Sequence, residues 1–272
     1  MPTWQRDRSQ LDDSRGLHKG EPGWRAEASV SDIVRVAMWS GPRNISTAMM
    51  RAFENRPDTV VVDEPLYAAY LTRTGIDHPA REAVIASQPT SLAAAVAGLS
   101  APLAPGRRVH YAKHMAHHVS RDMDLRWTLR FRNVLLIRDP VEVVASYVRA
   151  RETCTPDDIG LPQQAWLAEL WDEHQRDVPI LDAGDFLRAP EAHLRWLCDW
   201  LGIPFTGRML SWPPGPRLSD GVWARHWYTA VWSSTGFEPW RPREAALSDH
   251  DAAVAEACRP MYAALYARRA RV

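Results

Sequence analysis

The stretch Ile33-Val34-Arg35-Val36-Ala37-Met38-Trp39-Ser40-Gly41-Pro42-Arg43-Asn44-Ile45-Ser46-Thr47 decides how this chain folds. Its first seven residues are a short apolar run with β-branched members, closed by Ser40-Gly41-Pro42, and this pattern predicts a buried strand. Over residues 46–55 the apolar positions recur at helical spacing. Strand, tight loop and helix therefore follow one another. Such a junction aims free backbone N–H groups and the positive end of the helix dipole at one point, which makes an anion site. Gly41 is read as the source of unusual backbone angles, and Arg43 as a permanent cation with fork geometry for phosphate or sulfonate oxygens. Ser46 and Thr47 add hydroxyl donors in the first helical turn. The plainer alternative makes Ser46 an N-cap and Arg43 a surface cation. The ATP-binding pattern GxxxxGK(S/T) is absent, since the loop has neither the lysine nor the second glycine.

Strands and helices alternate along the rest of the chain. Residues 59–62 read as a second strand ending at Asp63-Glu64-Pro65, and residues 66–72 as a helix. Residues 79–100 look like two alanine-rich helices, and 108–113 like a third strand. Residues 133–137 are the clearest strand, running into Arg138-Asp139-Pro140 and a helix over 141–149. Asp139 suits the N-cap and Pro140 the first helical position. Helices over 163–176 and 189–201 flank a last strand at 178–181, and a terminal helix over 248–269 carries an expected kink at Pro260. The predicted fold class is α/β: a parallel sheet flanked by helices on both faces, with ligands beyond the carboxyl ends of the strands. Met1–Asp32 reads as a loose polar tail and 33–272 as a single domain.

Composition narrows the function. Lys and Arg number 33, as do Asp and Glu, so no net field attracts nucleic acid or an acidic membrane. The three cysteines, Cys154, Cys198 and Cys258, lie far apart, with no CxxC pair. No disulfide framework or zinc site is implied, and a reducing, cytoplasmic location is expected. The sequence offers no convincing metal-binding cluster, residues 1–32 lack the apolar core of a signal peptide, and no apolar run approaches the roughly 20 residues that cross a bilayer. The chain has 13 tryptophans, and Trp212, Trp223, Trp227, Trp232 and Trp240 crowd one segment. Residues 211–243 are rich in Pro, Gly and Trp and match no single element; within them, residues 221–232 read either as a core-facing helix or as an aromatic lid over a ligand, with Arg225, His226 and Tyr228 as polar contacts and Ser233-Ser234-Thr235-Gly236 as a joint.

Arg138 ends the clearest strand, and Ser146 lies two turns into the following helix, so the two can grip one ligand group, such as a second phosphate. Alternatively Arg138 pairs with Asp139 or Glu142 and Ser146 only packs.

Together these residues resemble the sulfotransferase family that uses 3′-phosphoadenylyl sulfate. Pro42-Arg43-Asn44-Ile45-Ser46-Thr47 is similar to that family's 5′-phosphosulfate loop, whose fold is P-loop-like. Arg138 and Ser146 match its 3′-phosphate pair. Asp63-Glu64-Pro65 stands where many bacterial, carbohydrate and tyrosyl-protein members place a catalytic glutamate. The likeness covers residues 33–201, and residues 211–237 are similar to bacterial members with unassigned substrates. It implies transfer of a sulfonate to a hydroxyl or amine of a small-molecule acceptor, releasing adenosine 3′,5′-bisphosphate without a metal. Gly41, Pro42, Arg43, Asn44, Ile45, Ser46 and Thr47 with Arg138 and Ser146 would hold the donor. Glu64 would be the general base and Arg43 would stabilise the leaving oxygen. Lys113 would contact the sulfonate, and His114 is the rival base. His117 and His118 are expected to cap or line a surface loop.

Three departures stand out. Asn44-Ile45 replaces a small pair. The C-terminal Arg-Lys-Gly motif is missing, with Arg217, Arg225 and Arg241 as substitutes. Lys113-His114 replaces a Lys-x-His arrangement. Two other functions compete: a kinase-like phosphotransferase with an altered phosphate loop, for which Asp63 would hold magnesium, and a non-catalytic nucleotide-binding protein. The oligomeric state is left open, a homodimer included.

Overall fold

A computed structural model of the chain describes residues 33–149, 153–242 and 246–272. The expectation for Met1–Asp32 lies outside these residues. Five strands form one parallel sheet: β1 (Val34–Ser40), β2 (Thr59–Asp63), β3 (Val109–Met115), β4 (Arg132–Ile137) and β5 (Ile180–Asp182), in the order β2-β3-β1-β4-β5. The junction quoted above supplies the central strand. The chain leaves β1 toward β2 and β3 on one side, then crosses to β4 and β5 on the other, so the order reverses around β1. In open parallel sheets ligands sit at such a reversal.

Because a strand's side chains alternate, each strand feeds two cores. Ala37, Trp39, Ala112, Leu135 and Ile137 pack on one face, together with Leu167 and Trp171 of α7 (Leu161–Glu173) and Val254, Cys258 and Leu265 of α12 (Asp249–Ala267). Val36, Met38, Tyr111, Val134 and Leu136 pack on the other with Met49, Met50 and Phe53 of α1 (Ser46–Glu54). Phe186 of α8 (Ala183–Arg188) and Leu194, Leu197 and Cys198 of α9 (Pro190–Leu201) join that second face. The remaining helices are α2 (Tyr67–Thr74), α3 (Arg81–Ser87), α4 (Leu92–Leu99), α5 (Pro140–Tyr147), α6 (Pro156–Ile159), α10 (Ala224–Trp227) and α11 (Thr229–Ser233). Asp139 caps α5 by accepting from Val141 N at 2.8 Å, with Pro140 opening the helix. α12 runs continuously past Pro260. The two helices absent from the sequence reading, α6 and α8, are too short to carry a hydrophobic period.

The tryptophan-rich segment takes the core-facing role in part. Trp223 and Ala224 join Tyr67, Leu71 and Val84 in a small third core, while Trp227 and Tyr228 face a cavity. Its expected joint is fastened: Trp212 N donates to Thr235 O at 3.0 Å, Trp212 Nε1 to Ser234 Oγ at 3.1 Å, and Ser211 bridges Gly236.

Gly41 acts differently from the sequence reading. Its φ is not positive, and Arg43 takes the left-handed conformation instead, at φ 54°. What Gly41 provides is close approach, because a Cβ there would meet the Ile159 carbonyl oxygen at 2.3 Å. Gly41→Ala is therefore expected to destabilise the fold by about 1–3 kcal/mol. Gly98→Ala, inside α4 with open space around it, should stabilise by about 0.5–1 kcal/mol. Urea unfolding of both variants checks this; a Gly41→Ala protein as stable as wild type would contradict the close approach.

Candidate active site

The carboxyl ends of β1, β2, β3 and β4 open into a cavity of about 370 Å³. Its floor at one end is the loop between β1 and α1. Ile45 occupies the N-cap of α1 and no side chain caps the helix, so Ser46 is the first helical residue and not a cap. The first-turn N–H groups are left for an anion. Asn44 explains itself here. Its Nδ2 donates to Leu136 O at 2.9 Å and its Oδ1 accepts from Ile45 N at 2.7 Å, which pins the loop to the end of β4. Gln164 Nε2 reinforces the same point by donating to Trp39 O at 3.1 Å and Leu136 O at 3.0 Å.

The two loops singled out in the sequence meet. Arg43 Nε donates to Ser146 Oγ at 3.0 Å, and Arg138 Nη1 to Arg43 O at 2.7 Å. Arg138 also pairs with Glu142, at 2.9 Å from Nε and 2.8 Å from Nη2. The pairing of Arg138 with Glu142 is thus observed, and part of its five-donor fork is left over where Arg138 lines the cavity. Arg43 has no ion-pair partner among the described residues. Burial, then the positive charges of Arg149 and Arg138, lower its pKa. A half-buried cation beside two others is a site that an anion would stabilise. Of the three arginines offered for the missing C-terminal motif, Arg241 lines the cavity. Arg217 donates to Pro213 O and Arg225 to His226, both away from it.

At the other end stands a buried charge cluster. Lys113 Nζ donates to Asp63 Oδ1 at 2.9 Å, Glu64 Oε1 at 2.5 Å and Tyr228 Oη at 2.7 Å. Tyr228 in turn donates to Asp63, 2.7 Å from Oδ2. Lys113 is fully buried and its three protons are all engaged, so it holds Glu64 in place and has no donor left for a sulfonate. Burial opposes its charge, but Asp63 and Glu64 outweigh that and raise its pKa well above the usual lysine range. Glu64 has its pKa raised by burial, with Lys113 pulling down and Asp63 pushing up. Its backbone sits at φ 41°, an outlier of the kind found at functional sites. Gln88 Nε2 steadies that turn by donating to the carbonyls of Asp63 and Glu64, both at 3.2 Å.

His114 is not at the site. It neighbours Lys113 in β3, so it points to the opposite face, where it stacks on Trp39 with ring centroids 4.2 Å apart. Both its ring nitrogens are buried without partners, and burial lowers its pKa to about 3. His117 and His118, expected on a surface loop, line the cavity instead, and His118 Nε2 lies 3.9 Å from Glu64 Oε2. They follow β3 through a single 3-10 turn, Ala116–His118, which no spacing in the sequence announced. Gln88 and Gln164 carried no sequence signal, and Tyr228 only the company of its tryptophans.

A family model described as a sulfotransferase domain matches residues 34–269, and the chain belongs to that family. Its fold is similar to the sulfotransferase domain from the curacin biosynthetic pathway, with TM-score 0.50 and 16% identity over 82% of this chain and 96% of that one. The sulfotransferase domain of the Synechococcus PCC 7002 olefin synthase gives TM-score 0.51 and 18% identity over 86% and 97%. A sulfotransferase from Alicyclobacillus acidocaldarius gives 0.50 and 14% over 88% and 97%. Two curated Arabidopsis thaliana proteins, branched-chain-amino-acid aminotransferase-like proteins 1 and 2, are 35% and 34% identical over 82% of this chain. The chain spans 40% of the length of each.

His114→Phe tests its placement. Unfolded histidine titrates near 6.5 and folded His114 near 3, so between those values the unfolded chain binds the extra proton and stability falls as pH falls. The phenylalanine variant should keep its turnover, match or exceed wild-type stability at neutral pH, and show a flatter loss of stability below pH 6.5. Urea midpoints against pH read this; loss of turnover would restore His114 as a base.

Proposed function

We propose that this sulfotransferase moves a sulfonate from 3′-phosphoadenylyl sulfate to a hydroxyl or amine of a small-molecule acceptor, with Glu64 as general base. The observation that carries the proposal is the junction of Arg43, Ser146 and Arg138. It unites the uncapped start of α1 with the end of β4, which suits a donor phosphorylated at two places. The first-turn amides of α1 with Arg43, Ser46 and Thr47 would take the 5′-phosphosulfate. Arg138 and Ser146, joined by Arg241, would take the 3′-phosphate. Ser146 keeps its own hydroxyl proton for that purpose while accepting from Arg43.

The chemistry asks for position and charge more than for covalent help, as in phosphoryl transfer. The acceptor loses its proton to Glu64, attacks sulfur, and the bond from sulfur to the 5′-phosphate oxygen breaks. Arg43 meets the charge that develops on the leaving oxygen. Lys113 fixes Glu64 without spending a proton on the substrate, and the raised pKa of Glu64 makes it a better base near neutrality. A kinase-like reading is less well supported. It needs Asp63 for magnesium, and Asp63 accepts from Lys113, Tyr228 and Gly221 N. The three buried free cysteines fit a reducing, cytoplasmic setting.

Glu64→Gln should lower turnover of 3′-phosphoadenylyl sulfate by roughly 100-fold or more while leaving donor affinity intact. The wild-type acid limb of kcat/KM for the acceptor should lie above the ordinary glutamate range, since activity appears only as Glu64 ionises. Near-normal turnover by Glu64→Gln would remove Glu64 as the base.

A further inference from the structure

Lys113 occupies Oε1 of Glu64, so Oε2 is the oxygen that an acceptor can reach. His118 Nε2 faces it at 3.9 Å. That distance is too long for a hydrogen bond between them and suits two groups that share a third atom. An atom about 2.8 Å from each would see them at an angle of about 90°, within the spread of two hydrogen bonds at one hydroxyl.

His118 is held for such a task. Tyr67 and Tyr70 stack on its ring at 4.7 and 4.8 Å, and His117 meets it edge-on at 4.7 Å. Its Nδ1 is buried with no partner. A buried N–H without an acceptor is rarer and costlier than a buried lone pair without a donor, so the single proton of the neutral ring belongs on Nε2. Burial, then the neighbouring His117 and Lys113, keep that ring neutral.

We propose that His118 Nε2–H and Glu64 Oε2 form a fork around the reacting atom of the acceptor, and that this fork selects a hydroxyl over an amine. The proposal rests on Glu64 being the base. A hydroxyl oxygen has one proton and two lone pairs. It gives the proton to Glu64, accepts from His118 with one lone pair and attacks sulfur with the other. The new O–S bond forms as the S–O bond to the 5′-phosphate breaks. The electron pair departs on adenosine 3′,5′-bisphosphate and the proton stays on Glu64. A neutral amine has a single lone pair. Occupied by His118 it cannot attack, and turned toward sulfur it leaves the His118 donor unpaired. His118 itself gains and loses no proton, so it is a specificity-determining residue.

Benzyl alcohol and benzylamine are matched probes, with release of adenosine 3′,5′-bisphosphate as the signal. Wild type should favour the alcohol by roughly 100-fold. His118→Ala should lose roughly tenfold in kcat/KM for the alcohol and most of the discrimination, with unchanged thermal stabilisation by the bisphosphate. Glu64→Gln should abolish transfer to both; if it stays active, the base assignment falls whatever His118 does. Equal transfer to both probes, transfer to neither, or discrimination unchanged in His118→Ala would overturn the fork. Histidine nitrogen NMR of the full chain with the bisphosphate bound gives a readout independent of the variants. The fork requires the His118 proton on Nε2, and a proton on Nδ1 overturns it.

Discussion

The ion pairs of Lys113 with Asp63 and Glu64 are the interaction on which one end of the cavity depends. One ammonium, buried in β3, joins the end of β2 through Asp63 and Glu64 to the tryptophan-rich segment through Tyr228. Removing one partner of such a buried pair typically costs about 3–5 kcal/mol, because a charge is left uncompensated. Burial raises the Glu64 pKa, with Lys113 pulling it down and Asp63 pushing it up. The tryptophan-rich segment therefore helps to hold Glu64, through Tyr228 and Lys113. It is tied down as well from behind, where Asp220 pairs with Arg51 of α1 and accepts from Trp232 Nε1 at 2.9 Å.

The opposite end of the cavity follows a contrary logic. There, among the described residues, Arg43 has no ion-pair partner; Glu142 pairs with Arg138, and Arg43 lies beside Arg138 and Arg149. Gly41 lets the backbone just after β1 run against Ile159, and Asn44 ties the next turn to β4, so contacts on both sides position the uncapped start of α1.

Much of this was legible in the residues. The β1 junction, the Asp139-Pro140 cap and the Arg138–Ser146 spacing are local patterns; they announced a strand-loop-helix, a helix start and two side chains that come to line the cavity. His114 was misplaced for a reason also local: neighbours in a strand face opposite ways, so Lys113 and His114 cannot share a site. Asn44 looked like an unexplained departure because its carbonyl partner, Leu136, is remote in sequence. His118, Tyr228 and Gln88 reach the site only through tertiary folding, by a 3-10 turn or from distant segments, and composition says nothing about such approaches.

The central claim is that the two loops form one site for a nucleotide phosphorylated at both its 3′ and 5′ ends. Thermal unfolding of the full chain with adenosine 3′,5′-bisphosphate or with ATP, in wild type and in Arg138→Ala, measures it most directly. A ligand at 100 times its dissociation constant stabilises by about 2.7 kcal/mol, well within detection. Marked stabilisation by the bisphosphate, little by ATP, and loss of that preference in Arg138→Ala is the predicted result. Stronger stabilisation by ATP, or a bisphosphate effect indifferent to Arg138, would contradict it.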